Sequence, residues 1–133
     1  MQGVPATVVG IGVDIVDLAR FADVIERTPR FVDRVFTREE SYHGDGRRRS
    51  AQSLAARFAA KEAVAKVLVQ THGLQWQHCE VIVEEHGNPC LRLSGTVAQA
   101  AAERGIDAWH LSLSHDGCHA IAYVVAQGHG GGA

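Results

Sequence analysis

The stretch "SLAARFAAKEAVAKVLVQTHG" (53–73) constrains the fold more than any other part of this chain. Alanine loses no side-chain entropy in a helix, so a run this rich in it predicts one long helix. Ser53 is the expected N-cap and Gly73 the expected stop. Small side chains let other backbone approach closely, which suits a helix lying against a sheet. Its charges fall in rows, Arg57 with Lys61 and Glu62 with Lys66, each pair four residues apart. Taken alone, such rows are a solvated helix face, on which a Glu62–Lys66 ion pair would contribute about 0.3–0.5 kcal/mol.

A strand is expected across "TVVGIGVDIV" (7–16). Alternation puts Val9, Ile11, Val13 and Ile15 on one face and Gly10, Gly12 and Asp14 on the other. A carboxylate in a strand built for burial needs a partner. The glycines admit something bulky to the backbone; a bulge or a closely packed helix explains them equally well. A helix follows over "DLARFADVIERT" (17–28), with Leu18, Phe21, Ala22 and Ile25 as its buried stripe. Arg20, Val24 and Arg27 line a second face, Pro29 helps to stop the helix, and Arg30 extends the basic run. "TREE" (37–40) has the form of a capping box, and "GDGRRR" (44–49) is a basic loop.

Beyond the long helix, "CEVIVEE" (79–85), the turn "HGNP" (86–89) and "CLRLSG" (90–95) read as a hairpin. A helix over "TVAQAAAER" (96–104) ends at Gly105. "AWHLSLSH" and "CHAIAYVVA" flank Asp116-Gly117, a two-residue turn signal. The order predicts an α+β fold, a mainly antiparallel sheet packed against a long helix.

With 133 residues and 14.3 kDa, the chain suits a single domain, 1–127, followed by a flexible tail, 128–133. A net charge of −2 supplies no general field for nucleic acid or a membrane, so an acidic partner must be met by a local patch. Cys79, Cys90 and Cys118 are odd in number and scattered, which suits free thiols in a reducing cytoplasm. His78-Cys79 and Cys118-His119 lack paired C-x-x-C spacing, and alternation sends adjacent residues to opposite faces, so zinc is not expected.

Joined together, the strand and the long helix suggest chemistry. Asp14 and Glu62 could each give an oxygen to one hard cation, with water and substrate phosphate completing its shell, as Mg²⁺ prefers. The helix lysines would then lie where a diphosphate carries its charge. Spacing alone does not bring the two segments together.

"GIGVDIVDLARF" followed by "RFAAKEAVAK", with "SLSHD" (112–116) near the C-terminus, resembles the paired signature and third element of the holo-[acyl-carrier-protein] synthase family, the short phosphopantetheinyl transferases. The resemblance spans nearly the whole chain. It implies transfer of the 4′-phosphopantetheine arm from coenzyme A to a serine of acyl carrier protein, in fatty acid or polyketide biosynthesis. By the same resemblance, Asp14 and Glu62 are the metal ligands, and Lys66 acts with them in catalysis. Arg57, Lys61, Lys66, Pro89 and His115 contact the cofactor, with Lys61 beside the metal. Arg20, Val24, Arg27 and Arg30 receive the carrier protein, and the assembly is a homotrimer with sites between subunits. The sequence departs from the family pattern at "VLVQTHGL" (67–74), where a Gly-Thr-Gly loop is common, and at "GNP" (87–89), where Asn88 replaces a lysine. Two other functions use the same residues: a Mg²⁺-dependent hydrolase of nucleotide diphosphates, and a non-enzymatic module that binds an acidic protein through its arginine helix.

Overall fold

The computed structural model describes residues 5–69, 73–83 and 88–129. Strand β1 (Thr7–Asp17) leads into α1 (Leu18–Arg27), α2 (Pro29–Val35) and α3 (Arg38–Ser41). Helix α4 (Ala51–Leu68) follows, then a 3₁₀ turn (Trp76–His78) and strands β2 (Cys79–Val83) and β3 (Pro89–Leu93). Helix α5 (Gly95–Glu103) and the hairpin β4 (Ile106–Asp116) and β5 (His119–Gly128) complete the chain. The strands form two antiparallel sheets, one ordered β1-β5-β4 and the other the β2-β3 ribbon. Among the described residues, no helix is long and apolar enough to cross a membrane.

Helix α4 lies across the inner face of the larger sheet. Ala59, Ala60, Ala63, Val64 and Val67 are buried there against Ala122, Val124 and Ala126 of β5. The glycines of β1 are explained by this approach. A Cβ on Gly12 would sit 2.2 Å from the Ala63 carbonyl oxygen, and one on Gly10 2.9 Å from Val67 Cγ1. Both of the alternatives weighed for them are present, because the register also slips between Val8 and Gly10. The bulge turns Val9 towards the inner core, where it joins Val16.

The apolar face of β1 therefore does the opposite of what its composition suggests. Ile11, Val13 and Ile15 point away from α4 and are 56%, 44% and 61% exposed. Pairing sets Val13 beside Tyr123 and Ile15 beside Ile121, with Ser112 and Ser114 beyond them on β4, so the chain carries an uncovered apolar sheet face.

A second core, built on Phe21, Val32, Val35, Phe36 and Leu54, holds α1 and α2 to α4. Edge-on aromatic contacts of Phe21 with Phe31 (6.0 Å) and Phe36 (6.5 Å) knit it together. Pro29 does more than end α1. It opens α2 in the first turn, where its missing N–H costs nothing. Ser50, not Ser53, caps α4 by accepting the Ser53 N–H, and Val69 in the left-handed region ends it ahead of Gly73.

The capping box Thr37–Glu40 is present and opens α3. The β4–β5 turn lies one residue later than expected. Asp116 pairs with His119, leaving Gly117 and Cys118 as the loop, with positive φ at Gly117. Gly128 ends β5, and the His129 N–H donates to the Gly105 carbonyl; residues 130–133 of the expected tail lie outside the described residues, as do 84–85 of the expected strand and 86–87 of the expected turn.

Candidate active site

Asp14 sits on the glycine face of β1, opposite Ala122, and so points at α4. Lys66, in the last turn of α4, donates to Asp14 Oδ1 at 2.9 Å and to the Val13 carbonyl at 2.9 Å. That ion pair answers the question the strand raised. The Asp14 side chain is 17% exposed and that of Lys66 53%, so the pair opens to solvent on its lysine side.

Glu62 lies one turn before Lys66 on the same flank. Burial raises the proton affinity of its carboxyl, the neighbouring Asp14 carboxylate raises it further, and the Lys66 ammonium opposes both. Asp14 lies near enough to disfavour the charge of Glu62, and together the two carboxylates form a donor set for a hard cation. Among the described residues, no third His, Cys, Asp or Glu joins them in a closed cage. The open positions suit water and phosphate oxygens.

Lys61 belongs elsewhere. Adjacent residues on a helix point about 100° apart, and Lys61 is turned into the core with 0% side-chain exposure. Its ammonium donates to Glu40 Oε1 at 2.8 Å and to the Trp76 and Cys79 carbonyls. All three protons are used, so the expected place beside the metal is corrected: in this structure Lys61 is a buried anchor.

The structure brings Arg57, Pro89 and His115 together. They line a cleft of about 450 Å³ with Ser50, Gln52, Ser53 and Leu113. Arg57 is 5% exposed; a terminal guanidinium nitrogen donates to the Ser53 hydroxyl, while Nε has no hydrogen-bond partner among the described atoms. Burial and the nearby Arg49 make its charge costlier, a cost that an anion in the cleft would relieve. The lining serines carry no signal in the sequence, because Ser53 has the form of a helix cap. The same holds for Glu40, since a capping-box glutamate gives no sign that its carboxylate also holds a buried lysine.

Within one chain the cleft and the carboxylates are separate. Five residues of helix divide Arg57 from Glu62, about 140° of rotation, and His115 lies on β4, at the sheet edge opposite β1. A third region is the row Arg20, Val24, Arg27 and Arg30, all exposed on α1 and the start of α2. Arg27 there carries an exposed ion pair with Asp23 at 3.2 Å.

Residues 10–124 match the family described as the 4′-phosphopantetheinyl transferase superfamily. The chain belongs to that superfamily. A relative, the holo-[acyl-carrier-protein] synthase of Salinispora arenicola, is 54% identical over 120 residues, covering 90% of this chain and 98% of the relative. This transferase is accordingly an enzyme of the holo-[acyl-carrier-protein] synthase type. Solved structures agree with its fold. The acyl carrier protein synthase of Plasmodium yoelii with ADP bound has a TM-score of 0.83 at 26% identity, covering 94% of this chain and 98% of that one. The Helicobacter pylori holo-[acyl-carrier-protein] synthase in complex with coenzyme A has a TM-score of 0.74 at 28% identity, covering 87% and 98%.

Proposed function

We propose that this transferase moves the 4′-phosphopantetheine arm of coenzyme A onto a serine of apo acyl carrier protein, releasing 3′,5′-ADP, with Mg²⁺ held by Asp14 and Glu62. The reading rests on the meeting of β1 and α4, each bringing one carboxylate, with the Lys66 ammonium 2.9 Å from Asp14. The coenzyme A bound in the Helicobacter pylori relative supports the choice of donor. When bound, the ion supplies Lewis-acid neutralisation of diphosphate charge.

The remaining chemistry belongs to side chains. Phosphoryl transfer leaves a protein little to do beyond positioning and charge stabilisation. The serine oxygen bonds to the phosphorus bearing the pantetheine arm, and the bond from that phosphorus to the ADP oxygen breaks. Lys66, half-exposed on its open side, stabilises the charge on the departing oxygen. The serine proton goes to a site carboxylate or to solvent. Arg57, His115 and Pro89 take the nucleotide side in their cleft. Arg20, Val24, Arg27 and Arg30 receive the acidic carrier, since a slightly acidic enzyme needs a local basic patch to do so.

The enzyme works as a cytoplasmic homotrimer in fatty acid or polyketide biosynthesis. The uncovered face of Ile11, Val13, Ile15 and Tyr123 is the surface such an assembly buries. A site between subunits also unites the carboxylate cluster of one chain with the cleft of the next. The decisive experiment incubates the enzyme with coenzyme A, Mg²⁺ and apo acyl carrier protein. The carrier should gain the mass of one phosphopantetheine. No gain with any carrier from a folded enzyme would falsify the transfer reaction, and coenzyme A split without a carrier would favour a hydrolase.

A further inference from the structure

Helix α4 presents a problem of specification. Its buried positions, Leu54, Ala55, Ala56, Ala59, Ala60, Ala63, Val64, Val67 and Leu68, surround it almost completely. Most of them are alanine, and an alanine surface is smooth. Apolar contact alone therefore distinguishes weakly between one rotation of the helix and another a few tens of degrees away. Yet Glu62 and Lys66 face Asp14 only at one rotation.

One buried group is directional enough to choose. Lys61 reaches Glu40 of α3 and the carbonyls of Trp76 and Cys79, at either end of the 3₁₀ turn that leads into β2. Both oxygens of Glu40 are in turn occupied. Its Oε1 accepts from the Thr37 N–H at 3.0 Å as well as from Lys61, and its Oε2 accepts from the Val81 N–H at 2.8 Å. The pair is 0% and 1% exposed, so neither charge has water to fall back on. Fixing register or orientation is the best-attested use of a buried polar group.

We propose that Lys61 is a positioning residue. Its buried pair with Glu40 sets the rotation of α4 and so holds Glu62 and Lys66 against Asp14. The inference rests on the site reading above for its functional consequence, but its geometry can be tested independently. On the opposite flank, the contact between Gly12 and Ala63 sets how closely α4 approaches β1. Lys61 sets which way the helix turns once there.

The test uses the full chain as wild type, as Lys61→Met, and as the paired apolar replacement Lys61→Met/Glu40→Met. A zero-length carbodiimide should join the Lys66 amine to the Asp14 carboxylate in the wild type, 2.9 Å apart, read by peptide mass spectrometry. Mg²⁺ affinity is read by calorimetry without coenzyme A. We expect both variants, each kept well below its melting temperature, to lose most of the Lys66–Asp14 cross-link. Mg²⁺ should bind about tenfold more weakly and kcat should fall about tenfold, with KM for the carrier unchanged. The double variant should recover thermal stability without recovering the cross-link. A folded Lys61→Met with wild-type cross-linking overturns the proposal, as does a double variant that regains stability, cross-link and Mg²⁺ affinity together. A wild type that cross-links but neither binds Mg²⁺ nor transfers would overturn the site reading and leave the positioning role standing.

Discussion

Glu62 carries a conflict between stability and use. Its folded-state proton affinity is raised above the unfolded value, first by burial and then by Asp14. Folding therefore disfavours its ionised form. That cost is present above the raised pKa and vanishes as pH falls below the ordinary carboxylate range, about 4. Glu62→Gln removes the disfavoured charge and keeps the shape. It should raise the melting temperature at pH 7 and give no gain near pH 3, while transfer activity falls at least a hundredfold. Thermal melts at the two pH values check the sign, and a melting temperature lowered at pH 7 would refute the argument. Cys79 shows the same effect of burial on a bystander, its thiol pushed up to about 12, so it is no nucleophile at neutral pH.

At the scale of elements, the junction of β1 with α4 controls the site. Gly12 stands two residues from Asp14, and any side chain there meets the backbone of Ala63 at 2.2 Å. The neighbour is a carbonyl and cannot swing aside. Gly12→Ala should cost about 1–3 kcal/mol of stability, seen as a lower denaturant midpoint, and should displace Asp14 enough to reduce kcat. A wild-type midpoint would mean that α4 yields easily. Helix α1 makes a separable contribution. Arg20 is exposed, its backbone N–H accepted by the Asp17 cap at 2.9 Å, and it touches neither carboxylate. Arg20→Glu should raise KM for the carrier about tenfold with kcat little changed, because an exposed charge at a docking rim acts mainly on encounter. Unchanged KM would remove α1 from the docking surface.

At the scale of the whole molecule, the apolar outer face and the divided site point the same way. Ile15→Asp places a charge in the middle of that face and should give a monomer by sedimentation, folded but inactive. An active monomer would show the site complete in one chain. Mixing inactive Asp14→Ala with inactive His115→Ala should restore part of the activity, because some sites in a mixed assembly receive their carboxylates from one chain and their histidine from another. No recovery in a mixed oligomer would place both residues in the same chain's site.

Periodicity, capping residues and turn chemistry are local, and for that reason the sequence by itself determined the elements. The long alanine helix, the capping box at Thr37 and the two hairpins are set by residues a few positions apart, and the structure keeps them all, although α4 is capped by Ser50 instead of Ser53 and stops at Leu68, short of Gly73. Spacing likewise put Glu62 and Lys66 on one helical flank and alternation put Asp14 on the glycine face of its strand, while their roles came only from the family resemblance. Tertiary structure decided what depends on which surfaces meet. Composition could not say that the apolar face of β1 points outward, because hydrophobicity records a preference for burial and not what does the burying. Nor could it show that Lys61 and Glu62, neighbours in sequence, part company on the helix. Only the packed core supplies the carboxylate and carbonyls that hold one of them inside and leave the other facing Asp14.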